Sequence, residues 1–295
     1  MPWAGCSTVN FFCAQLSTVY YAKINADGST GAWITNANPL PNGAAGSATV
    51  VSNGYIYSIG GKNSNTTVNY AKLKSDGSTG AWVTSPNSLT SNRAEGGVVT
   101  YGGYVYMFGG HSGGGSPDNV VIYSKLGADG TIGPWVTSAN NLATAMKQPG
   151  VIYANGYVYL FGGINGGNSP DSTVQYARIN SDGTPGVWSN LSTLPIAIGV
   201  QKATVMNGFV YLVGGYDGTN NVATVYKAKL NNDGTLGNWS VSSNPLPATR
   251  SGQGTLGVNG YIYAIGGDTT GSVVTNSVLY ARLRFVHPVR LHRKA

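Results

Sequence analysis

A nine-residue segment recurs five times along the chain, and that recurrence leaves little freedom in the choice of fold. Asn53-Gly54-Tyr55-Ile56-Tyr57-Ser58-Ile59-Gly60-Gly61 returns at 102–110, 155–163, 207–215 and 259–267. The second glycines stand at 61, 110, 163, 215 and 267, a period of 49 to 53 residues. A tight turn, an aromatic-aliphatic run and a glycine doublet at such a period predict the blades of a β-propeller, not the helices of a solenoid.

Each repeat reads as four short strands. In the first full copy, strand one covers 47–51 and Asn53-Gly54 supplies a two-residue hairpin turn. Strand two, 55–59, is apolar on both faces, as suits a strand held between neighbouring blades. The doublet that follows has no Cβ, so the backbone can turn sharply and another element can approach closely. Strand three ends in Tyr70-Ala71-Lys72-Leu73, an Asp-Gly turn follows, and strand four carries Trp82. The counterparts of that tryptophan are Trp33, Trp135, Trp188 and Trp239. At 226–230 the strand-three motif is one residue longer, which reads as a bulge.

The order of glycine doublet, tyrosine and tryptophan resembles the kelch repeat family over roughly 17–285, with a long Asp-Gly insertion that marks a divergent, bacterial-type branch. That resemblance implies a propeller that binds proteins or carbohydrates, with enzymes among its relatives. It speaks to architecture more than to activity. The expected fold is all-β: a propeller of five four-stranded kelch-like blades over 16–284, flanked by a non-repeat segment 1–15 and a basic non-repeat tail 285–295. Strands one, two and four occur five times and strand three six times. Pairing of N- and C-terminal strands, with the strand around Trp33 completing the blade begun at Ser251, would close the ring and remove an exposed edge. The surplus strand three then offers a route to a strand-swapped homo-oligomer, and the flanks read as ends of an excerpt from a longer array.

Composition narrows the function classes. Charged residues make up only 9% of the chain, whereas Gly reaches 44 and Tyr 19, a profile of tightly turned β-structure. The net charge of +7 is concentrated in Arg282, Arg284, Arg290, Arg293 and Lys294; residues 1–281 hold 12 basic and 10 acidic side chains. A nearly neutral body argues against nucleic acid as a partner. No apolar run is long enough to span a membrane. Trp3-Ala4-Gly5-Cys6 resembles a lipoprotein cleavage box, but nothing ahead of it forms a signal peptide. Cys6 and Cys13 cannot staple a propeller. The polar, Gly/Thr/Asn-rich blades suit an extracellular or cell-surface protein.

Strand parity puts the 2-3 and 4-1 loops on one face. Five of the ten carboxylates, Asp27, Asp76, Asp129, Asp182 and Asp233, recur in the Asp-Gly turns and read as turn chemistry. The others, Glu95, Asp118, Asp171, Asp217 and Asp268, all fall on the 2-3/4-1 face, with His111, Lys62, Arg93, Lys147 and Arg250. Loops over a repeated scaffold carry function, so this face is the candidate site. In strand one, Ala48, Gly97, Gly150 and Gly254 share a column with Lys202, which is expected to project into the channel. A binding site would draw on Arg93, Gln148, Gln201, Tyr216, Arg250, Gln253 and His111, with Asn165, Asn168 and Asn220, to grip a glycan or protein ligand. The alternative is a hydrolase of a small ester, phosphoester or glycoside at the channel mouth, with Lys202, Glu95, Asp217 and Asp268 as its catalytic groups. No cofactor is expected; a metal at the mouth would have to use Asp217, Asp268, Glu95 and His111, which lack ligand spacing.

Overall fold

A computed structural model describes residues 16–62, 66–113, 115–270 and 273–283, and its architecture there is an all-β five-bladed propeller without helices. An N-terminal pair, β1 (Tyr20–Tyr21) and β2 (Ile34–Thr35), precedes the repeats. The first blade is β3 (Ala48–Ser52), β4 (Tyr55–Ile59), β5 (Val68–Lys72) and β6 (Val83–Thr84). The second is β7 (Gly97–Tyr101), β8 (Tyr104–Phe108), β9 (Val121–Lys125) and β10 (Val136–Thr137). The third is β11 (Gly150–Ala154), β12 (Tyr157–Phe161), β13 (Val174–Arg178) and β14 (Ser189–Asn190). The fourth is β15 (Lys202–Met206), β16 (Phe209–Val213), β17 (Val225–Lys229) and β18 (Ser240–Val241). The fifth has β19 (Gly254–Val258), β20 (Tyr261–Ile265) and β21 (Val278–Arg282) among the described residues. Every blade is an antiparallel meander in chain order, with β3, β7, β11, β15 and β19 side by side innermost. The Asn-Gly turns have both residues at positive φ, as at Asn53 (50°) and Gly54 (77°), the geometry that matches the twist of a two-residue hairpin. β17 pairs residue for residue with β16, so the expected bulge is absent.

The core lies between blades. Tyr57 and Ile59 of β4 pack with Val105 and Met107 of β8 and with Trp135. Tyr106 and Phe108 pack with Val158, Leu160 and Trp188, and Tyr159 and Phe161 with Val210, Leu212 and Trp239. Strand two thus buries both faces, each large apolar side chain contributing about 1.5–3 kcal/mol. The doublet glycines have separate reasons. A methyl group on the first would strike the link that follows its own blade, as Gly109 against Met146 O and Gly162 against Ile198 O. On the second it would strike the preceding link, as Gly110 against Ala94 O.

Ring closure differs from the sequence expectation. β2 pairs with β1 (Tyr20↔Thr35, Tyr21↔Ile34), and β21 pairs with β20, so no ladder joins the N- and C-terminal strands among the described residues. The β1–β2 pair instead sits between the fifth and first blades as a unit of its own. Tyr263 OH donates to Gly28 O at 2.8 Å, as Tyr106 OH does to Gly183 O (2.9 Å) and Tyr159 OH to Gly234 O (2.8 Å). On the other side, Asn38 Nδ2 donates to Thr79 O at 2.8 Å, as Asn87 does to Ile132 O (2.7 Å) and Asn140 to Pro185 O (2.9 Å). The physical reason is local. β2 reaches β1 across one short Asp-Gly turn, whereas β21 lies at the far end of the chain and costs more loop-closure entropy. The surplus strand three is therefore used within the chain. The calls on 1–15 and 285–295 lie outside the described residues.

Candidate functional site

The 4-1 links and the residues after each doublet do share a face. Antiparallel bridges join Ala94 to His111, Lys147 to Ile164, Gly199 to Tyr216 and Ser251 to Asp268. Each link then turns through a left-handed residue before entering the innermost strand: Gly46 (φ 64°), Glu95 (60°), Gln148 (55°), Val200 (60°) and Gly252 (63°). These residues bond head to tail. Glu95 N donates to Gly46 O (2.9 Å), Gln148 N to Glu95 O (2.6 Å), Val200 N to Gln148 O (3.2 Å) and Gly252 N to Val200 O (3.0 Å). A backbone belt thus runs from the head of one innermost strand to the next. A left-handed conformation costs an L-residue about 1–2 kcal/mol, and the shared belt holds Glu95, Gln148 and Val200 in it.

Glu95 projects from this belt with 11% of its side chain exposed. Its Oε1 lies 3.1 Å from Lys62 Nζ and its Oε2 3.7 Å from His111 Nε2. Burial lowers the pKa of His111, the Glu95 carboxylate opposes that shift, and Lys147 and Lys62 reinforce it. His111 Nδ1 is buried without a partner among the described residues. Lys202, at the head of β15, is half-buried; desolvation of its ammonium lowers its pKa and Glu95 opposes the shift. No hydrogen bond or ion pair joins Lys202 Nζ to another described residue. Lys62, Lys147, Glu95 and Asp118 thus act on His111, and Glu95 on Lys202. Lys62 is paired with Glu95 and Lys147 donates to Gly115 O (2.7 Å), which leaves the Lys202 ammonium as the cation open to an anion.

Lys202 yields a pH prediction. Its folded pKa lies below the unfolded value of about 10.4. At pH below the folded pKa the ammonium is charged in both states and the folded chain carries the full desolvation cost. As pH rises towards the unfolded value, only the unfolded state keeps the proton, and stability recovers. Lys202→Met should then stabilise the protein at neutral pH by about 1–2 kcal/mol, with the difference narrowing towards pH ~10. Urea unfolding of both proteins across that range checks it; a pH-independent difference would show that the ammonium is solvated.

The other sequence-predicted residues divide clearly. Arg93 is only 2% exposed: its Nη1 donates to Gly109 O (2.6 Å) and pairs with Asp118 Oδ1 (2.8 Å). Arg250, also 2% exposed, donates to Gly266 O (2.8 Å) and Ser277 Oγ (3.1 Å). Gln201 and Gln253 are fully buried, their Nε2 donating to Phe161 O and Val213 O of the preceding blade. These four expected ligand contacts are internal braces, and burial withdraws them from any ligand. Their columns carry the signal: Arg93 and Arg250 align with Met146 and Ile198, both fully buried. Asp217 is exposed, with its carboxylate accepting Thr219 N (2.8 Å) and Asn220 N (2.7 Å), so it closes its own turn. Tyr216 donates to Gly218 O in the same loop (2.7 Å). Asp268 is half-buried beside Ser251, and desolvation raises its pKa. Gln148 contributes its backbone to the belt. The strand-one column that holds Lys202 is small because the next blade crowds it: a methyl on Gly97 would strike Val151, and on Gly150 it would meet Ala203.

The Asp-Gly carboxylates act as turn residues. Asp129 Oδ1, for example, accepts Thr131 Oγ1 (2.7 Å) and Thr131 N (3.1 Å), and these bonds lower its pKa. Sequence reasoning missed Lys62 as the partner of Glu95, and missed the belt. A column reading Gly46, Glu95, Gln148, Val200, Gly252, with glycine at two of five places, was the available sign of a left-handed turn. No group of three or more His, Cys, Asp or Glu that could hold a metal forms among the described residues.

No family model matches the chain, and no curated relative does. Among solved structures, the chain is similar to that titled "Structure of YjhT", with a TM-score of 0.72 at 14% identity over 94% of each chain. At that identity the likeness speaks for the propeller fold alone.

Proposed function

We propose that this protein is a divergent kelch-like binding propeller, at work outside the cell or on its surface, which takes an acidic group of a glycan or protein ligand at the 2-3/4-1 face. The observation that supports this reading is that Lys62 and His111 lie on the Glu95 carboxylate of the belt, with Lys202 of a third blade in its electrostatic range. Their residue types do not recur at the matching positions of the other blades. An acidic group beside Lys202 would neutralise a desolvated ammonium that has only the Glu95 carboxylate in electrostatic range. The ring of Tyr216 and the loop amides Asn165, Asn168 and Asn220 offer contacts for a sugar or a polypeptide around it.

Titration of the protein with neutral oligosaccharides, acidic oligosaccharides and acidic peptides tests this. Lys202→Ala should weaken the best ligand by roughly 10-fold or more. Unchanged affinity in folded Lys202→Ala and Glu95→Gln would move the site elsewhere. The Lys202–Glu95 interaction also favours a second reading, a hydrolase of a small ester, phosphoester or glycoside, in which these groups share acid-base work. Turnover that Glu95→Gln abolishes in a folded protein would select that reading.

A further inference from the structure

The face of the 1-2 turns, opposite the belt, holds an aromatic pair that recurs in no other blade. Tyr101 ends β7 and Tyr153 is the last residue but one of β11, two innermost strands that lie side by side. The hairpin registers align Tyr101 with Ser52, Ala154, Met206 and Val258, and Tyr153 with Val51, Thr100, Val205 and Gly257. No other residue in either column is aromatic.

The two rings stack across the blade boundary, with centroids 3.9 Å apart and planes 22° from parallel. The other ring contacts among the described residues have centroids 5.4 to 6.5 Å apart. Aromatic pairs ordinarily prefer an offset or edge-on arrangement, with centroids about 4.5–7 Å apart. The approach of the second and third blades thus holds these rings nearer, and more nearly face to face, than their quadrupoles favour. Burial raises the pKa of Tyr153 and a hydrogen bond with the Tyr101 phenol adds to the shift, so the hydroxyl ends of the two rings lie together. The ring carbons beside each hydroxyl then face one another across the stack. Tyr101 is 43% exposed and Tyr153 is partly exposed, which leaves the pair open to a reagent in solvent.

We propose that Tyr101 and Tyr153 are a site of oxidative cross-linking, joined by a dityrosine bond when a peroxidase and hydrogen peroxide act on the folded chain. Each phenol gives up its hydroxyl hydrogen, as one proton and one electron, and becomes a phenoxyl radical. The radicals couple through a carbon ortho to each oxygen, and the hydrogen on each of those carbons moves to the oxygen to restore the phenols. Two protons and two electrons leave in all, and they reduce one hydrogen peroxide to two waters. The stack favours this bond over one between chains, because it holds the reacting rings in contact and replaces a bimolecular encounter. The bond ties the innermost strands of the second and third blades together. It also restricts the unfolded chain, as a disulfide does across a long loop.

Treatment of the dilute full chain with a haem peroxidase and hydrogen peroxide, followed by intact mass and tryptic mapping, tests this. The expected product is a fluorescent monomer lighter by two hydrogen atoms, with tryptic peptides 94–125 and 148–178 linked through Tyr101 and Tyr153. Its unfolding constant in urea should fall by roughly 100-fold. Tyr101→Phe and Tyr153→Phe keep the ring but lose the phenolic hydrogen, and each should abolish the link. Tyr20→Phe should leave it unchanged, although Tyr20 is also 43% exposed. Unfolding in urea before oxidation should remove the link, because the stack is then lost. A link between these peptides that survives either phenylalanine variant at 101 or 153 overturns the proposal, as does an equal yield from the unfolded chain. Products joined only between chains also overturn it, and an unchanged unfolding constant overturns the bracing role of the bond.

Discussion

Gly109→Ala and Gly162→Ala are expected to remove about 4 kcal/mol of folding stability each, whereas Gly266→Ala should cost about 1–2 kcal/mol. All three are the first glycine of a doublet and share nearly one backbone conformation, with φ of 56°, 52° and 62°. The left-handed penalty is therefore common to them. The difference lies in what a methyl group would meet. At Gly109 and Gly162 it would enter the carbonyl of the next link, Met146 O or Ile198 O, which already accepts the N–H of the second glycine at 2.8 and 2.9 Å. At Gly266 the nearest described atom is Thr275 O at 3.5 Å, an ordinary contact. Relief of the clash would have to separate two blades and break that bond. A loss of 4 kcal/mol is a large share of a typical folding stability. Urea midpoints at constant m-value measure it. Equal costs at all three sites would mean that φ alone decides, and that the blade-to-blade approach is not as tight as described.

Arg93→Ala is expected to destabilise the protein by about 3 kcal/mol, and Arg93→Met by clearly less. The guanidinium bonds Gly109 O and Asp118 Oδ1 at the start of strand three, and Asp118 in turn accepts Val120 N at 3.1 Å. Alanine leaves a cavity, an unbonded carbonyl and a carboxylate without its cation, each with its own cost. Methionine fills the volume, as Met146 already does at full burial in the same column. Arg93→Met with Asp118→Asn should recover most of the remaining loss, since the pair then leaves no unpaired charge behind. Thermal or denaturant unfolding of the unaltered protein, Arg93→Met, Asp118→Asn and the double variant gives the cycle, with Arg93→Ala measured beside them. If alanine and methionine were equally tolerated, Arg93 would be free to serve a ligand, as the sequence alone suggested.

That suggestion shows where sequence reading went astray. Arg93, Arg250, Gln201 and Gln253 are polar residues on a face rich in loops, which is the usual description of a binding site. Polarity did not tell them from ligand contacts, because each bonds a backbone carbonyl, Gly109 O, Gly266 O, Phe161 O or Val213 O, that is invisible in side-chain identity. Their alignment with Met146 and Ile198 was the better guide: a column that tolerates buried apolar residues is a buried column. Asp217 and Tyr216 were selected for type and place, yet both spend their oxygens on their own loop. Lys202 was singled out for breaking its column and Glu95 as a carboxylate outside the recurring turns; the Glu95 carboxylate lies in electrostatic range of Lys202.

From sequence alone came everything that depends on residues close along the chain. The doublets, Asn-Gly hairpins, Asp-Gly turns and alternating apolar strands each follow from local backbone and side-chain sterics, and five repetitions leave an all-β propeller as their common solution. Tertiary structure alone decided which strands pair at the junction, which polar groups face inward and which charges meet. The partner of β2 and the burial of Arg93 and Arg250 depend on how strands and links pack, and the electrostatic influence of Glu95 on Lys202, more than a hundred residues away, depends on the arrangement of the blades around the ring. Closure is set by packing between blades, where a shift of one column turns an exposed side chain into a brace.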